Sequence, residues 1–302
     1  GYTLVYGIIE LINFAHGEVF MMGSFFAATV ITLTGVTGED SASTIIAIML
    51  IALVASMIFS AVLNRGIDWV AYRRLRNAPR LAPLIAAIGV SFILQNLGIY
   101  WKGSNPFTAP QIIPFEWRTY NILKEWPILR DWFADSTLRI TLMDLFVIVV
   151  TMPMLIGLTW FVYRTRLGTA MRATAQDREA AALMGIDINR TIGIAFWLGG
   201  ALAGAAGLVA LLYNNSARFN MGFQYGLYAF TAAVLGGIGN LAGAVIGGIL
   251  IGIIWSMSDG FLGLYIDGWG SQWTNTVIFS ILVLVLVFRP AGIFGDSTTE
   301  KV

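Results

Sequence analysis

Cysteine is absent and histidine occurs once, at His16. Disulfides, thiolate metal sites and thiol nucleophiles are therefore excluded, and a single imidazole is the whole supply. Lysine is nearly as scarce. Lys102, Lys124 and Lys301 are the full set, and none follows a glycine-rich loop as a phosphate-binding Walker A sequence requires, so the chain is not a P-loop ATPase. Charge of either sign is short: 12% of 302 residues, against about 25% in an average soluble domain. The net charge of +1 and the lack of a long basic stripe argue against nucleic acid and against an acidic substrate. No cleavable signal peptide is visible. The chain opens with Gly1-Tyr2-Thr3 inside an apolar run, so most of a first helix is expected to lie before Gly1.

What the chain has is apolar length. Hydrophobic residues make up 57%, and a spanning helix needs about 20 of them in a row because the hydrocarbon core is about 30 Å thick. Thr44 to Leu63, Leu145 to Tyr163 and Thr191 to Tyr213 carry no charge at all. These runs lack the alternation of barrel strands, and backbone groups in lipid must be paired within their own segment, so they are helices. Apolar runs read against breakers give segments near 1–9, 18–34, 44–63, 82–100, 143–163, 191–213, 226–238, 243–257 and 274–288. The expected fold is a single all-α, polytopic transmembrane bundle over 1–302, with eight or nine membrane segments. Gly236, Gly237, Gly239, Gly243, Gly247, Gly248 and Gly252 crowd one region, which suits close helix packing or two half-helices that stop inside the membrane. Gly237-Ile238-Gly239-Asn240-Leu241-Ala242 superficially resembles a dinucleotide fingerprint, but no strand precedes it and no acid follows about 20 residues on.

Arginine sets the orientation. Arg65, Arg73, Arg74, Arg76 and Arg80 crowd 64–81 against one acid, Asp68, which makes that loop cytoplasmic. Two crossings later 164–190 holds Arg164, Arg166, Arg172, Arg178 and Arg190, and the parity agrees. The tail after Arg289 is then cytoplasmic too. The segment 101–139, with Trp101, Trp117, Trp126, Trp132 and four prolines, reads as an outer, periplasmic loop bearing an aromatic belt.

Two constellations stand out. Ile12-Asn13-Phe14-Ala15-His16-Gly17-Glu18 puts polar residues and a breaker between two apolar runs. It is either a short connecting turn with Asn13 and Glu18 capping helix ends, or a broken helix whose Asn13, His16 and Glu18 line a translocation path. The second lies in the loop 164–190. Met171 to Met184 are good helix formers, Gly185 can take the left-handed terminating conformation, Asn189 can cap the next helix, and Glu179 can cap its own. A short amphipathic helix is expected there, with Ala180, Leu183 and Met184 at i, i+3 and i+4 forming an apolar knob for a partner's groove or for the lipid surface.

Glu179-Ala180-Ala181 followed by Gly185 resembles the E-A-A-x-x-x-G core of the coupling loop in ABC importer permeases, although the usual downstream I-x-L-P element does not follow. Tyr2-Thr3-Leu4-Val5-Tyr6-Gly7, Ile12 to Glu18, Phe230 to Gly239 and Phe288-Arg289-Pro290-Ala291-Gly292-Ile293, in this order, resemble the high-affinity branched-chain amino acid permease family along nearly the whole chain. The resemblance implies a non-catalytic bacterial inner-membrane permease subunit for branched-chain or other neutral amino acids. Its partners would be a second permease chain, two cytoplasmic ATPases that bind ATP and Mg, and a periplasmic binding protein, with no cofactor or metal in this chain. It also implies that Glu179, Ala180, Ala181, Leu183, Met184 and Gly185 couple to the ATPase. A urea or short-amide permease is the near alternative. An ion-coupled transporter relaying protons through Glu10, His16 and Glu18 is the alternative of another class, set back by the lack of a recognisable inverted repeat. An intramembrane hydrolase is more distant, since His16 has no cysteine partner and no nucleophile elbow.

Overall fold

The computed structural model describes residues 1–302 apart from 10–12, 77, 80, 123–138, 238, 267–268, 270, 290 and 296–302. Trp126, Trp132, Glu10, Arg80, Pro290 and Lys301 thus lie outside the described residues. The nine expected segments are all helical: α1 (Tyr2–Ile9), α2 (Ala15–Thr34), α3 (Ala42–Ile67), α4 (Leu81–Lys102), α6 (Leu142–Arg164), α9 (Ile188–Asn214), α10 (Met221–Gly236), α11 (Leu241–Ser256) and α12 (Ser271–Phe288). Among the described residues, short helices between them include α5 (Phe115–Thr119), α7 (Arg166–Gln176) and α8 (Arg178–Leu183), and α11 is followed by a π-helix at Met257–Phe261 and a helical turn at Leu262–Tyr265. Among the described residues, six helical stretches are long and apolar enough to cross a membrane. The all-α, polytopic expectation holds, and β structure among the described residues is limited to β1 (Phe107–Thr108) and β2 (Ser216–Ala217), paired antiparallel, and an isolated bridge between Asn121 and Thr141.

Lipid tails are as apolar as leucine, so helices in a membrane associate through close packing and polar contacts. The core forms where α2, α3 and α9 meet. Sixty-one per cent of the apolar window of α2 and of α9 is buried, against 6% for α6, which faces outward almost entirely. Along the α3–α9 seam the backbones nearly touch. A Cβ added to Gly204 would fall 2.2 Å from the Ser56 carbonyl oxygen, and one on Gly200 2.4 Å from that of Ser60. Ser56 Oγ donates to the Gly204 carbonyl at 3.2 Å, and Asn64 Nδ2 to the Phe196 carbonyl at 2.6 Å. At one end of the bundle Phe26 stacks on Phe59 with centroids 4.3 Å apart, and Phe25 and Trp101 close the cluster edge-on. The β1–β2 pair and the bond from Gly38 N to the Gln111 carbonyl lie at this end too, opposite the arginines of 64–81 and 164–190.

The glycine-crowded region resolves into two antiparallel 16-residue helices, α10 and α11. α10 is about 24 Å long, short of a core of about 30 Å, whereas the helical run of α11 continues through a π-helical turn at Met257–Phe261 and its stretch Leu241–Gly260 is one of the six long enough to cross. Gly236 and Gly243 pack backbone to backbone, as do Gly247 and Ala232. The chain beyond α12 seals the break between them. Ile293 N donates to the Leu235 carbonyl at 2.8 Å, Phe294 N to that of Gly236 at 3.2 Å, and Asn240 Nδ2 to the Phe294 carbonyl at 3.0 Å. The segments Phe230 to Gly239 and Phe288 to Ile293, far apart in sequence, are thus one structural unit.

One boundary differs from expectation. The arginines at 64–81 do not end α3 at Asn64. It runs to Ile67, widens into a π-helix at Asp68–Tyr72 and closes in a 3₁₀ turn at Arg73–Leu75, leaving only a few residues before α4. Asp68 explains it, since it is wholly buried and pairs with Arg65 and Arg76, so the charges are met inside the helical run rather than in a loop.

Candidate functional site

The stretch expected to form one helix from Met171 to Met184 is two. Asp177 takes an extended conformation with φ −156°, and its side chain accepts from Ala180 N at 2.9 Å, so α7 ends and α8 begins there. Asp177, not Glu179, caps α8, because only the residue before the first turn presents its side chain to the free N–H groups. The next cap differs likewise. Asp187 accepts from Arg190 N at 2.9 Å and caps α9, while Asn189 accepts from Arg76.

The end of α8 follows expectation. Gly185 has φ +83°, Ile186 N donates to the Ala181 carbonyl at 3.1 Å and Gly185 N to that of Ala182 at 3.0 Å, a left-handed stop that needs glycine. Ala181 is buried, whereas Glu179 and Ala180 are exposed. Leu183 and Met184 are 89% and 83% exposed. Met171 and Thr174 of α7 anchor this bracket against the bundle. The knob is thus carried on a fixed mount, among the exposed Arg73, Arg74, Arg172 and Arg190. An apolar pair displayed this fully adds little packing to the bundle and is open to a partner or to the lipid surface.

The first constellation is buried, not open. Asn13, His16 and Glu18 are 3%, 6% and 0% exposed. α1 and α2 are separate helices, and the cap position of α2 is Phe14 with no side-chain cap, so Asn13 and Glu18 are not the capping residues a simple turn would use. The three side chains face different neighbours. Asn13 Oδ1 accepts from Tyr72 Oη at 2.7 Å, and the His16 ring meets Tyr2 edge-on with centroids 4.8 Å apart. Glu18 Oε1 accepts from Ser91 Oγ at 3.1 Å and Gln95 Nε2 at 2.8 Å, while its Oε2 lies against Gly222. Among the described residues, Asn13 Nδ2, His16 Nδ1 and Glu18 Oε2 have no hydrogen-bond partner, and none joins His16 to Glu18. A cavity of about 920 Å³ lies between α6, α9, α10 and α11, walled by Thr151, Leu155, Leu202, Ala206, Ala232 and Gly252, and none of the three lines it. No three His, Asp or Glu side chains among the described residues gather as a metal site requires.

Sequence marks Asp68 and Arg76 only as topology signals and does not single out Tyr72, Ser91 and Gln95. A signal for two of them exists: Ser91 and Gln95 stand at i and i+4 in an otherwise apolar span, so they share one helix face.

Comparison with known proteins agrees along the chain. A family model described as branched-chain amino acid transport system / permease component matches residues 1–287. The high-affinity branched-chain amino acid transport system permease protein BraD of Pseudomonas aeruginosa is 40% identical over 305 aligned positions, which span all of this chain and 92% of BraD. LivH of Escherichia coli K12, of the same description, is 37% identical over 302 positions, covering all of this chain and 91% of LivH. A probable branched-chain amino acid permease of Methanocaldococcus jannaschii is 26% identical over 98% of this chain and 86% of its own length. No solved structure matches.

Proposed function

The chain belongs to the family of branched-chain amino acid transport permease components, and from that premise we propose that it is the membrane-spanning subunit of an ATP-driven importer of branched-chain or other neutral amino acids. It works with a second, related permease chain, two cytoplasmic ATPases that bind ATP and Mg, and a periplasmic binding protein. This chain itself catalyses no reaction. The observation that carries the reading is the exposed pair Leu183 and Met184, mounted on α7–α8 at the arginine-rich end. A permease without a nucleotide site draws on ATP only through contact, and such a knob is the element an ATPase groove can hold differently in its two states. Glu179, Ala180, Ala181 and Gly185 complete the coupling element, with Ala181 fixing α8 to the bundle and Gly185 turning the chain back toward α9. Asn13, His16 and Glu18 belong beside the translocation path. Their unpaired polar atoms at membrane depth support that placement, since such groups are costly unless they serve a passage.

The test is reconstitution. The permease, co-expressed with the ATPases and second permease of its own operon, is expected to take up leucine into proteoliposomes when ATP and binding protein are supplied, and to ignore an imposed proton or sodium gradient. Gradient-driven uptake without ATP would overturn the reading in favour of an ion-coupled transporter. Uptake of urea in place of leucine would move the substrate to short amides.

The proposed orientation puts the loops at the arginine-rich end, including 164–190, in the cytoplasm with the C-terminus, and 101–139 outside. The chain has no cysteine of its own, so single replacements report cleanly. Arg74→Cys and Leu183→Cys are expected to resist an impermeant maleimide in intact spheroplasts, whereas Phe115→Cys reacts. Labelling at Arg74 or Leu183 before lysis would reverse the topology.

A further inference from the structure

The π-helical segment Asp68–Tyr72 meets the first constellation through Tyr72 and is tied to the second through Arg76, which pairs with Asp68 and donates to Asn189, and we propose that it is the joint between them: Asp68, Tyr72 and Arg76 are positioning residues that carry displacement of α8 to the α1–α2 break. The proposal rests on the ATPase-coupled reading above. The route is short. α8 leads through Gly185 and Asp187 into the first turn of α9, where Asn189 accepts a hydrogen bond from Arg76. Arg76 also donates to Asp68 Oδ1 at 2.6 Å. Asp68 holds Arg65 as well, and the guanidinium of Arg65 fills the space beside Gly193, one turn further along α9. Four residues after Asp68, the Tyr72 hydroxyl donates to Asn13 at 2.7 Å, and its ring rests on Phe196 of α9 with centroids 5.4 Å apart.

Burial makes the Asp68 ion pairs and the Tyr72–Asn13 bond act as one body, and Arg76 links it to Asn189 at the surface. Asp68 has no exposed surface, so it cannot leave its arginines for water, and an unpaired charge there would be strongly destabilising. When the first turn of α9 shifts, Arg76 and Asp68 shift with it, and Tyr72 draws on Asn13. A π-helical turn carries one residue more than the α-helix around it and is frequently found at functional sites. Here Asp68 holds Arg65 and Arg76, which reach Gly193 and Asn189 of α9, while Tyr72 of the same segment turns to the entry of α2.

The experiment uses the reconstituted complex and reads two quantities from the same vesicles, binding-protein-stimulated ATP hydrolysis and leucine uptake. Tyr72→Phe removes one hydroxyl and keeps the ring on Phe196. Uptake per ATP hydrolysed is expected to fall about fivefold, the effect of losing one ordinary hydrogen bond from a productive state. Asn13→Ala is expected to give a similar loss, and the double variant no further loss, because both remove the same contact. Arg76→Lys keeps the charge but loses the fork that reaches Asp68 and Asn189 together, so it is expected to lower the same ratio. Equal loss of hydrolysis and uptake marks a purely structural role and overturns the joint, as do an unchanged ratio in Tyr72→Phe and multiplying losses in the double variant. A wild-type complex that hydrolyses ATP without importing any neutral amino acid or short amide sinks the importer reading itself, and the joint with it.

Discussion

Replacing Leu183 and Met184 together by aspartate is expected to abolish stimulated ATP hydrolysis and uptake while leaving the isolated permease folded. The two side chains are 89% and 83% exposed, so their removal costs the bundle almost nothing. At an interface the same side chains have the character of anchors, for which truncation costs about 2 kcal/mol or more each, roughly 30-fold in affinity. Two new carboxylates in an apolar groove add desolvation to that loss. Gly185→Val approaches the same end by another route. Nothing lies within 4 Å of the point a Cβ would occupy, so space is not the obstacle, but φ +83° is a conformation a β-branched residue adopts at about 1–3 kcal/mol. The stop after α8 is then lost and the knob is aimed wrongly. Co-purification of the ATPases, followed by hydrolysis and uptake in proteoliposomes, checks both. Wild-type levels in Leu183→Asp/Met184→Asp would show that this bracket is not where the ATPase docks.

Gly204→Leu is expected to remove folded protein altogether. Its Cβ would sit 2.2 Å from the Ser56 carbonyl oxygen and 2.7 Å from the Ser56 carbonyl carbon, atoms of a neighbouring backbone that cannot rotate aside. The α3–α9 seam must part along its length, which exceeds the roughly 1–3 kcal/mol of ordinary overpacking because hydrogen bonds to the Gly204 and Phe196 carbonyls are lost with it. Gly248→Leu is the contrast, since nothing lies within 4 Å of its Cβ. Yield and monodispersity in detergent, with thermal unfolding of what remains, should separate the two by a complete loss against little change. A well-behaved Gly204→Leu protein would mean that α3 and α9 are not in backbone contact.

These two glycines also mark how far sequence carries. Nine apolar runs between breakers were legible because lipid imposes length and composition directly, and each is a helix. Which of 33 glycines are contact points was not legible, because Gly204 and Gly248 look alike until a second helix is placed beside one of them. The end of α3 escapes sequence for a related reason. A cluster of arginines ends an apolar run, but it ends a helix only if the charges lack partners, and Asp68 with Arg65 and Arg76 supplies them. Gly185 could be read in advance, since a left-handed stop is a local property. The break at Asp177 could not, because aspartate at a cap and aspartate on a helix surface are the same letter. In the buried constellation the residue types were plain, whereas their partners Tyr72, Ser91 and Gln95 stand more than fifty positions away.

The seal over the α10–α11 break has a consequence in time. The last carbonyls of α10, at Leu235 and Gly236, are paired by Ile293 and Phe294, which leave the ribosome only after α11 and α12 have been made. At about 5–20 residues per second that delay is several seconds. Until then those two carbonyls lack the partners that the finished chain gives them, and an unpaired backbone carbonyl is costly wherever water is excluded. Closure is therefore among the final events of biogenesis. A nascent chain stalled before Ile293 would present an unfinished hairpin to membrane proteases, however well α2, α3 and α9 had already assembled.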